Sequence, residues 1–403
     1  MARIGEKEKD LSMFAFLRGA RKLSGAIVAV LSLLWLTACG GGFGTGAGGP
    51  RIDTSRPVPV ALLVPRGGGN AADDALAASL ENAARLAMRE LDGVTVDLRV
   101  YNTAGSASQA ATVAGQAVSE GAKVILGPVY AQNAAAAGRA ARGVNVLAFS
   151  NNPEVAGGNV FVLGNTFQNT ANRLVRYAAA SGKGNILVVN GQNAAEEIGR
   201  DTVARAIAAT PGAQSAGNVT FEVSQTGVIN AVPTITSTAR SSGATSVFLT
   251  SGTDGAIPFL AQLLPENGLS PANIQYIGLQ RWDIPASART LPGLQGGWFA
   301  IPDPALQEQF QQRYLAAYGA QPHAIAGLAY DGIAAIGALV KAGNADALTG
   351  AGLTQPQGFV GVNGVFRLRG DGTAERGLAI ASVQNKEIVV IDPAPRSFSG
   401  AGY

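Results

Sequence analysis

Few side chains in this chain could carry covalent chemistry, and their spacing argues against most of it. His323 is the single histidine and Cys39 the single cysteine among 403 residues, so no His/Cys cluster is available to hold zinc. Nucleophilic catalysis would have to route through His323, yet no serine stands in a Gly-x-Ser-x-Gly elbow, and His323, following Pro322, reads as a surface residue at a helix entry. Asp73 and Asp74 are adjacent carboxylates. Neighbours on a helix do not face one another, and in a first turn both complement the macrodipole. The formal Gly-x-Gly-x-x-Gly inside Gly40 to Gly49 follows no strand and opens no helix, which is the wrong context for a phosphate loop. Gly67-Gly68-Gly69 stands directly after a strand pattern, where helix amides can face an anion or the chain can simply turn. These residues lead us to expect no enzyme, no metal and no cofactor.

Cys39 has a different chemistry. Arg18, Arg21 and Lys22 precede a short apolar run from Leu23 to Leu36, the layout of a secretory signal. At 14 residues it falls short of the ~20 needed to cross a bilayer. It ends in Leu36-Thr37-Ala38-Cys39, which resembles the lipobox of bacterial lipoproteins. The resemblance implies cleavage before Cys39 and attachment of lipid to its thiol, so that the chain is held at a membrane; Met13 is an alternative start. Residues 1–39 hold six basic and three acidic residues, which accounts for the whole net charge of +3. The remainder is formally neutral, so no nucleic-acid partner is expected.

The 364 residues that follow must be placed by a scaffold. Gly40 to Gly49 is too poor in side chains to pack and reads as a tether. From Val58 onward, short apolar β-branched runs alternate with Ala-rich helical stretches. Strands at Val58 to Val64, Val94 to Tyr101, Val124 to Leu126 and Val144 to Ala148 are separated by helices, and the pattern resumes after a loop at Phe149 to Asn159. Fully apolar strands between helices predict a parallel sheet covered on both faces. The last third adds two helices, then Gly364 to Leu368, Leu378 to Val383 and Glu387 to Ile391 as an antiparallel ending. The fold class is α/β, with enough chain for two lobes.

Three stretches carry a family resemblance: Val60-Ala61-Leu62-Leu63-Val64-Pro65, Val124-Ile125-Leu126-Gly127-Pro128-Val129-Tyr130 and Val144-Asn145-Val146-Leu147-Ala148-Phe149-Ser150-Asn151-Asn152. Together with Leu163-Gly164-Asn165-Thr166 and Tyr330-Asp331-Gly332-Ile333, they resemble the type I periplasmic binding proteins, among them the leucine/isoleucine/valine-binding proteins and the penicillin-binding protein activators. The resemblance implies two doubly wound α/β lobes joined by three crossovers, with a Venus-flytrap cleft between them. The expected division is leader 1–39, tether 40–57, two-lobed domain 58–392 and tail 393–403. Lobe 1 is expected at about 58–163 and 292–345, and lobe 2 at about 164–291 and 346–392.

In that frame the cleft residues are Tyr130, Gln132, Ser150, Asn151, Asn152, Asn165, Thr166, Arg281, Trp282 and Asp283. Amino-acid-binding relatives have a serine shortly after Gly-Pro and an acid facing the ammonium; here Gly127-Pro128 is followed by Val129-Tyr130-Ala131-Gln132, and the second lobe offers Gln280-Arg281-Trp282-Asp283. Arg281 beside Trp282 points to an anionic or peptide-like ligand, or to a protein surface. Tyr130 and Trp282 could equally pack the cleft wall. The resemblance implies a membrane-tethered regulator that activates a peptidoglycan synthase, a penicillin-binding protein. The alternative is the substrate-binding lipoprotein of an ABC importer, with an amino-acid-like ligand and a permease as partners. The residue after Cys39 is not Asp, which by the sorting rule places the chain on the periplasmic face of the outer membrane.

Overall fold

The computed structural model describes residues 48–398. The leader, Cys39 and residues 40–47 lie outside the described residues, and with them the lipidation expectation. Val58–Val64 (β1), Val96–Asn102 (β2), Val124–Leu126 (β3), Asn145–Ala148 (β4) and Val160–Val162 (β5) form an all-parallel sheet in the order β2-β1-β3-β4-β5. β3, β4 and β5 are buried along their whole length, because helices cover both faces and leave no side of the pleat for water. Ala71–Arg89 (α1) packs on one face; Ala107–Ser119 (α2) and Ala131–Ala140 (α3) pack on the other. Asn70 starts α1 by accepting the Ala72 N–H, and Asp73 and Asp74 fall in its first turn as expected.

The second lobe repeats this plan. Its elements are Phe167–Ala180 (α4), Asn185–Gly191 (β6), Ala194–Ala209 (α5), Gln214–Phe221 (β7), Gln225–Ser241 (α6), Ser246–Leu249 (β8), Ile257–Glu266 (α7), Gln275–Gly278 (β9) and Trp298–Ile301 (β10). The order β7-β6-β8-β9-β10 is that of the first sheet. The chain then returns to lobe 1 with Pro304–Tyr318 (α8), Gly327–Lys341 (α9), Gly350–Leu353 (α10) and a small antiparallel sheet of Phe359–Gly361 (β11), Gly364–Leu368 (β12) and Ala374–Arg376 (β13). It crosses once more to add Ala379–Gln384 (β14) and Glu387–Asp392 (β15) antiparallel to the edge of the second sheet.

The structure corrects three sequence-based boundaries. Lobe 2 does not end at 291, because β10 pairs with both β9 and β14 and so holds the chain in the second sheet to about residue 302. Lobe 1 does not end at 345, because Phe359, Phe366, Leu368 and Ala374 enter its core. The three late strands are therefore divided between the lobes. Nor does the tether extend to 57, since Ile52 is buried in the lobe 1 core and its N–H reaches the Ala345 carbonyl at 2.9 Å. The tail also packs, with Ala394 and Phe398 buried and the Arg367 guanidinium 4.6 Å from the Phe398 ring centroid.

Candidate ligand cleft

In sheets of this order, ligands sit beyond the carboxyl ends of the strands, where the order reverses. Those points lie between β1 and β3 in lobe 1 and between β6 and β8 in lobe 2. In lobe 1 the chain fills much of the space itself. The Gly67 N–H, which could have faced an anion, is taken by the Asp74 carboxylate at 3.1 Å. The Tyr130 hydroxyl donates to Asp73, and this bond together with partial burial holds its pKa above the ordinary phenol value. Gly127 has φ +82°, and a Cβ there would collide with the Leu63 carbonyl, so only glycine fits the turn after β3.

The loop after β4 leads into the cleft. Ser150 is buried and its Oγ accepts the Asn152 N–H at 3.1 Å, while the Asn152 side chain accepts the Glu154 N–H at 2.9 Å. The first crossover runs against this loop through Gly164, whose N–H donates to the Ser150 carbonyl at 3.0 Å. Asn165 then donates to the Thr170 hydroxyl at 3.0 Å, and Thr166 caps α4 by accepting the Asn169 N–H at 3.3 Å. Asn151, Asn152 and Thr166 thereby reach the wall of a cavity of about 740 Å³ between the lobes. Lobe 1 supplies the loop at 151–154 and the hairpin between β12 and β13; lobe 2 supplies the starts of α4 and α5 with Arg176 and Arg205.

The crossovers beside this cavity are fastened by a buried ion pair. Asp331 on α9 accepts Arg376 Nη1 at 3.0 Å, the Val362 N–H at 2.7 Å and Asn363 Nδ2 at 3.2 Å. Arg376, at the end of β13 just before the third crossover, also donates to the Leu163 carbonyl at the first, at 2.7 Å. The second crossover joins through the Asp303 N–H, which donates to the Asn363 carbonyl. Burial pushes the Asp331 carboxyl above its ordinary range, against the pull of Arg376, Asn363 and the Val362 amide.

This geometry matches a known architecture. The sequence profile of a family described as "Periplasmic binding protein" matches residues 57–387. The chain belongs to that family. Its two-lobed fold is that of the type I periplasmic binding proteins. A putative branched-chain amino acid ABC transporter protein from Rhodospirillum rubrum is similar at 18% identity with a TM-score of 0.69, over 83% of this chain and 100% of that one. A branched-chain amino acid ABC transporter periplasmic ligand-binding protein from Burkholderia xenovorans gives 17% and 0.65, over 85% and 97%. An ABC transporter substrate-binding protein from Desulfitobacterium hafniense, solved with Leu, gives 15% and 0.60, over 83% and 100%. At these identities the likeness concerns the fold. The comparison with curated proteins gives no match.

The periplasmic binding protein departs from its sequence-based site in the second lobe. Trp282, expected in the cleft, is fully buried in the lobe 2 core, against Gly278, Gly297 and Phe299. Arg281 is not free for an anion, because it makes a two-pronged pair with Asp283, Nε to Oδ1 at 2.9 Å. Tyr130, exposed Gln132, Arg281 and Asp283 are not among the residues lining the cavity. His323 is exposed, and its N–H donates to Ser79 in lobe 1.

Sequence reasoning missed two groups in this periplasmic binding protein. Glu196 is a buried carboxylate at the switch point of lobe 2, accepting the Ser251 hydroxyl at 2.6 Å, the Thr250 hydroxyl at 3.0 Å and the Gly191 N–H at 2.5 Å. Its signal was the capping pair Asn193-x-x-Glu196 at the start of α5. Arg176 was legible only as part of a polar stripe, Gln168, Asn172 and Arg176, spaced four apart on α4. Among the described residues no group of three or more His, Cys, Asp or Glu could hold a metal ion, and no helix is long and apolar enough to cross a membrane.

Proposed function

We propose that this periplasmic binding protein is the solute receptor of an ABC importer, which closes its two lobes over a small polar solute held between them. The observation that carries this reading is the cavity of about 740 Å³ whose wall comes from both lobes. Its size suits a small-molecule site. A solute touching both walls binds the closed form better than the open one and so drives closure about the crossovers. Asn151, Asn152 and Thr166 serve as its neutral hydrogen-bonding contacts. The three structural neighbours are each described as ABC transporter proteins, which favours the importer over the penicillin-binding protein activator. Lipid on Cys39 tethers the domain at a membrane, through residues 40–47 at no more than roughly 3.5 Å each. For an importer that membrane must be the inner one, contrary to the sorting expectation.

A thermal scan of the chain against amino acids, short peptides and organic acids tests the reading. Solute at 100 times its dissociation constant adds ~2.7 kcal/mol of stability. The same solute should cease to enter cells that lack the chain. No shift across the panel, together with recovery of a peptidoglycan synthase on the chain, would overturn the receptor reading in favour of the activator.

A further inference from the structure

Resting on the interlobe cavity as a solute site, we propose that its solute is an organic carboxylate without an ammonium group, and that Arg176 and Arg205 hold its charge. Both guanidinium groups line the cavity and neither forms an ion pair among the described residues. Arg205 is steered by neutral oxygens only, donating to Gln168 Oε1 at 3.1 Å and to the Thr202 hydroxyl at 2.9 Å. Gln168 is itself fixed by Asn172 at 2.8 Å, so neutral groups orient the cation, while the neighbouring Asp201 carboxylate, which feels its charge, is hydrogen-bonded to Arg200 instead. A third observation is independent of the arginines. Asn169, 9% exposed, lines the same cavity in the first turn of α4, and its buried Nδ2 has no hydrogen-bond partner. An acceptor in the cavity would satisfy that donor.

The acids give the complementary result. Glu375 is held by Arg367 at 2.7 Å and Arg369 at 3.4 Å, and Asp201 by Arg200 at 2.8 Å. Asp371 accepts both the N–H and the hydroxyl of Thr373. At the strand ends, Asp283 is consumed by Arg281 and Glu196 by the donors around it. An ammonium group would find Glu154, an exposed side chain on a short turn, and Asp371, whose carboxylate is already taken up by Thr373 beside Arg369. A carboxylate finds two cations and a vacant amide donor, with Phe167 and Ile198 on the same wall for an apolar body.

The test uses the full chain in detergent with five probes: glutarate, adipate, benzoate, leucine and the neutral diamide glutaramide. At least one of the three carboxylates should raise the melting temperature, and leucine and glutaramide should not. For the carboxylate that binds, R176Q and R205Q should each weaken titrated affinity by about tenfold or more, the loss of one charge-assisted hydrogen bond. E154Q, which removes a like charge from the cavity wall, should tighten it. Circular-dichroism melting of each variant separates lost binding from lost fold. Leucine binding, with no response to the carboxylates, overturns this inference and leaves the receptor reading standing. A carboxylate whose affinity stays within twofold in both arginine variants overturns the assignment to these residues. Silence from all five probes overturns the inference, whereas the receptor reading falls only with the wider panel.

Discussion

Removing Arg376 while leaving Asp331 in place should be among the most damaging single changes to this domain. The side chains of the pair are 2% and 0% exposed, so R376L leaves a carboxylate without its cation where water does not reach. Breaking a buried pair from one side costs ~3–5 kcal/mol. The variant also loses the bond to the Leu163 carbonyl and the stacking of the guanidinium 4.9 Å from the Phe366 ring centroid. The loss should depend on pH with a definite sign. With no cation beside it, the Asp331 carboxyl of the variant titrates further above its unfolded value. Its neutral form carries little penalty, so stability is retained at low pH and falls as pH rises through the raised folded value. Urea unfolding at pH 5 and pH 8, followed by circular dichroism and by tryptophan fluorescence in lobe 2, measures both effects. Replacing the pair together, as D331L/R376L, should recover much of the loss, since a buried pair exchanged for apolar side chains is often neutral. Single variants within 1 kcal/mol of the parent, or a double variant no more stable than R376L, would refute the reasoning.

Other outcomes follow from the same contacts. Glu81 is pushed up by burial but carried net below its ordinary value by the hydrogen bonds of Arg85 and Arg66. Its contribution is therefore present above the unfolded pKa and lost as pH falls through the folded one, so E81Q should lower the melting temperature at pH 7 and much less at pH 3. E196A should destabilise lobe 2 by ~1–3 kcal/mol for each buried donor left unpaired, read by chemical unfolding; a variant as stable as the parent would show that water replaces the carboxylate. W282A should cost ~3–5 kcal/mol in stability. Below its melting point it should still bind solute as the parent does, since Trp282 touches core and not cavity; calorimetric titration checks both. G127A should fail to accumulate as folded protein, because the new methyl meets the Leu63 carbonyl at a left-handed φ. Expression followed by limited proteolysis reads this directly.

The residues determined the architecture without tertiary help, because strands buried on both faces have to be apolar along their length and the helices between them have to be long enough to cross over. Asn70, Thr166 and Asn193 mark helix starts in the sequence for the same local reason, a side-chain oxygen within reach of its own turn's amides. Ser150, Asn151 and Asn152 were expected at the cleft because the family resemblance puts the loops at the carboxyl ends of the strands there; Asn151 and Asn152 line the cavity and Ser150 is buried behind them. What periodicity does not encode is which edge a strand pairs with. β10 was thus given to lobe 1 and β11 to β13 to lobe 2, and only the pairing of β10 with β9 and β14 and the packing of Phe359 and Phe366 into the first core decided where the crossovers lie. The side-chain chemistry of the cleft is equally non-local. Arg281 reads as a free cation until Asp283 closes on it, and Trp282 reads as a cleft aromatic until Gly278 and Gly297 open room for it in the core. Arg176 and Arg205 stand 29 positions apart on separate helices, and Asp331 and Arg376 stand 45 apart. Nothing in either local sequence announces the other, because the contact exists only once two helices have packed or a chain has crossed between lobes.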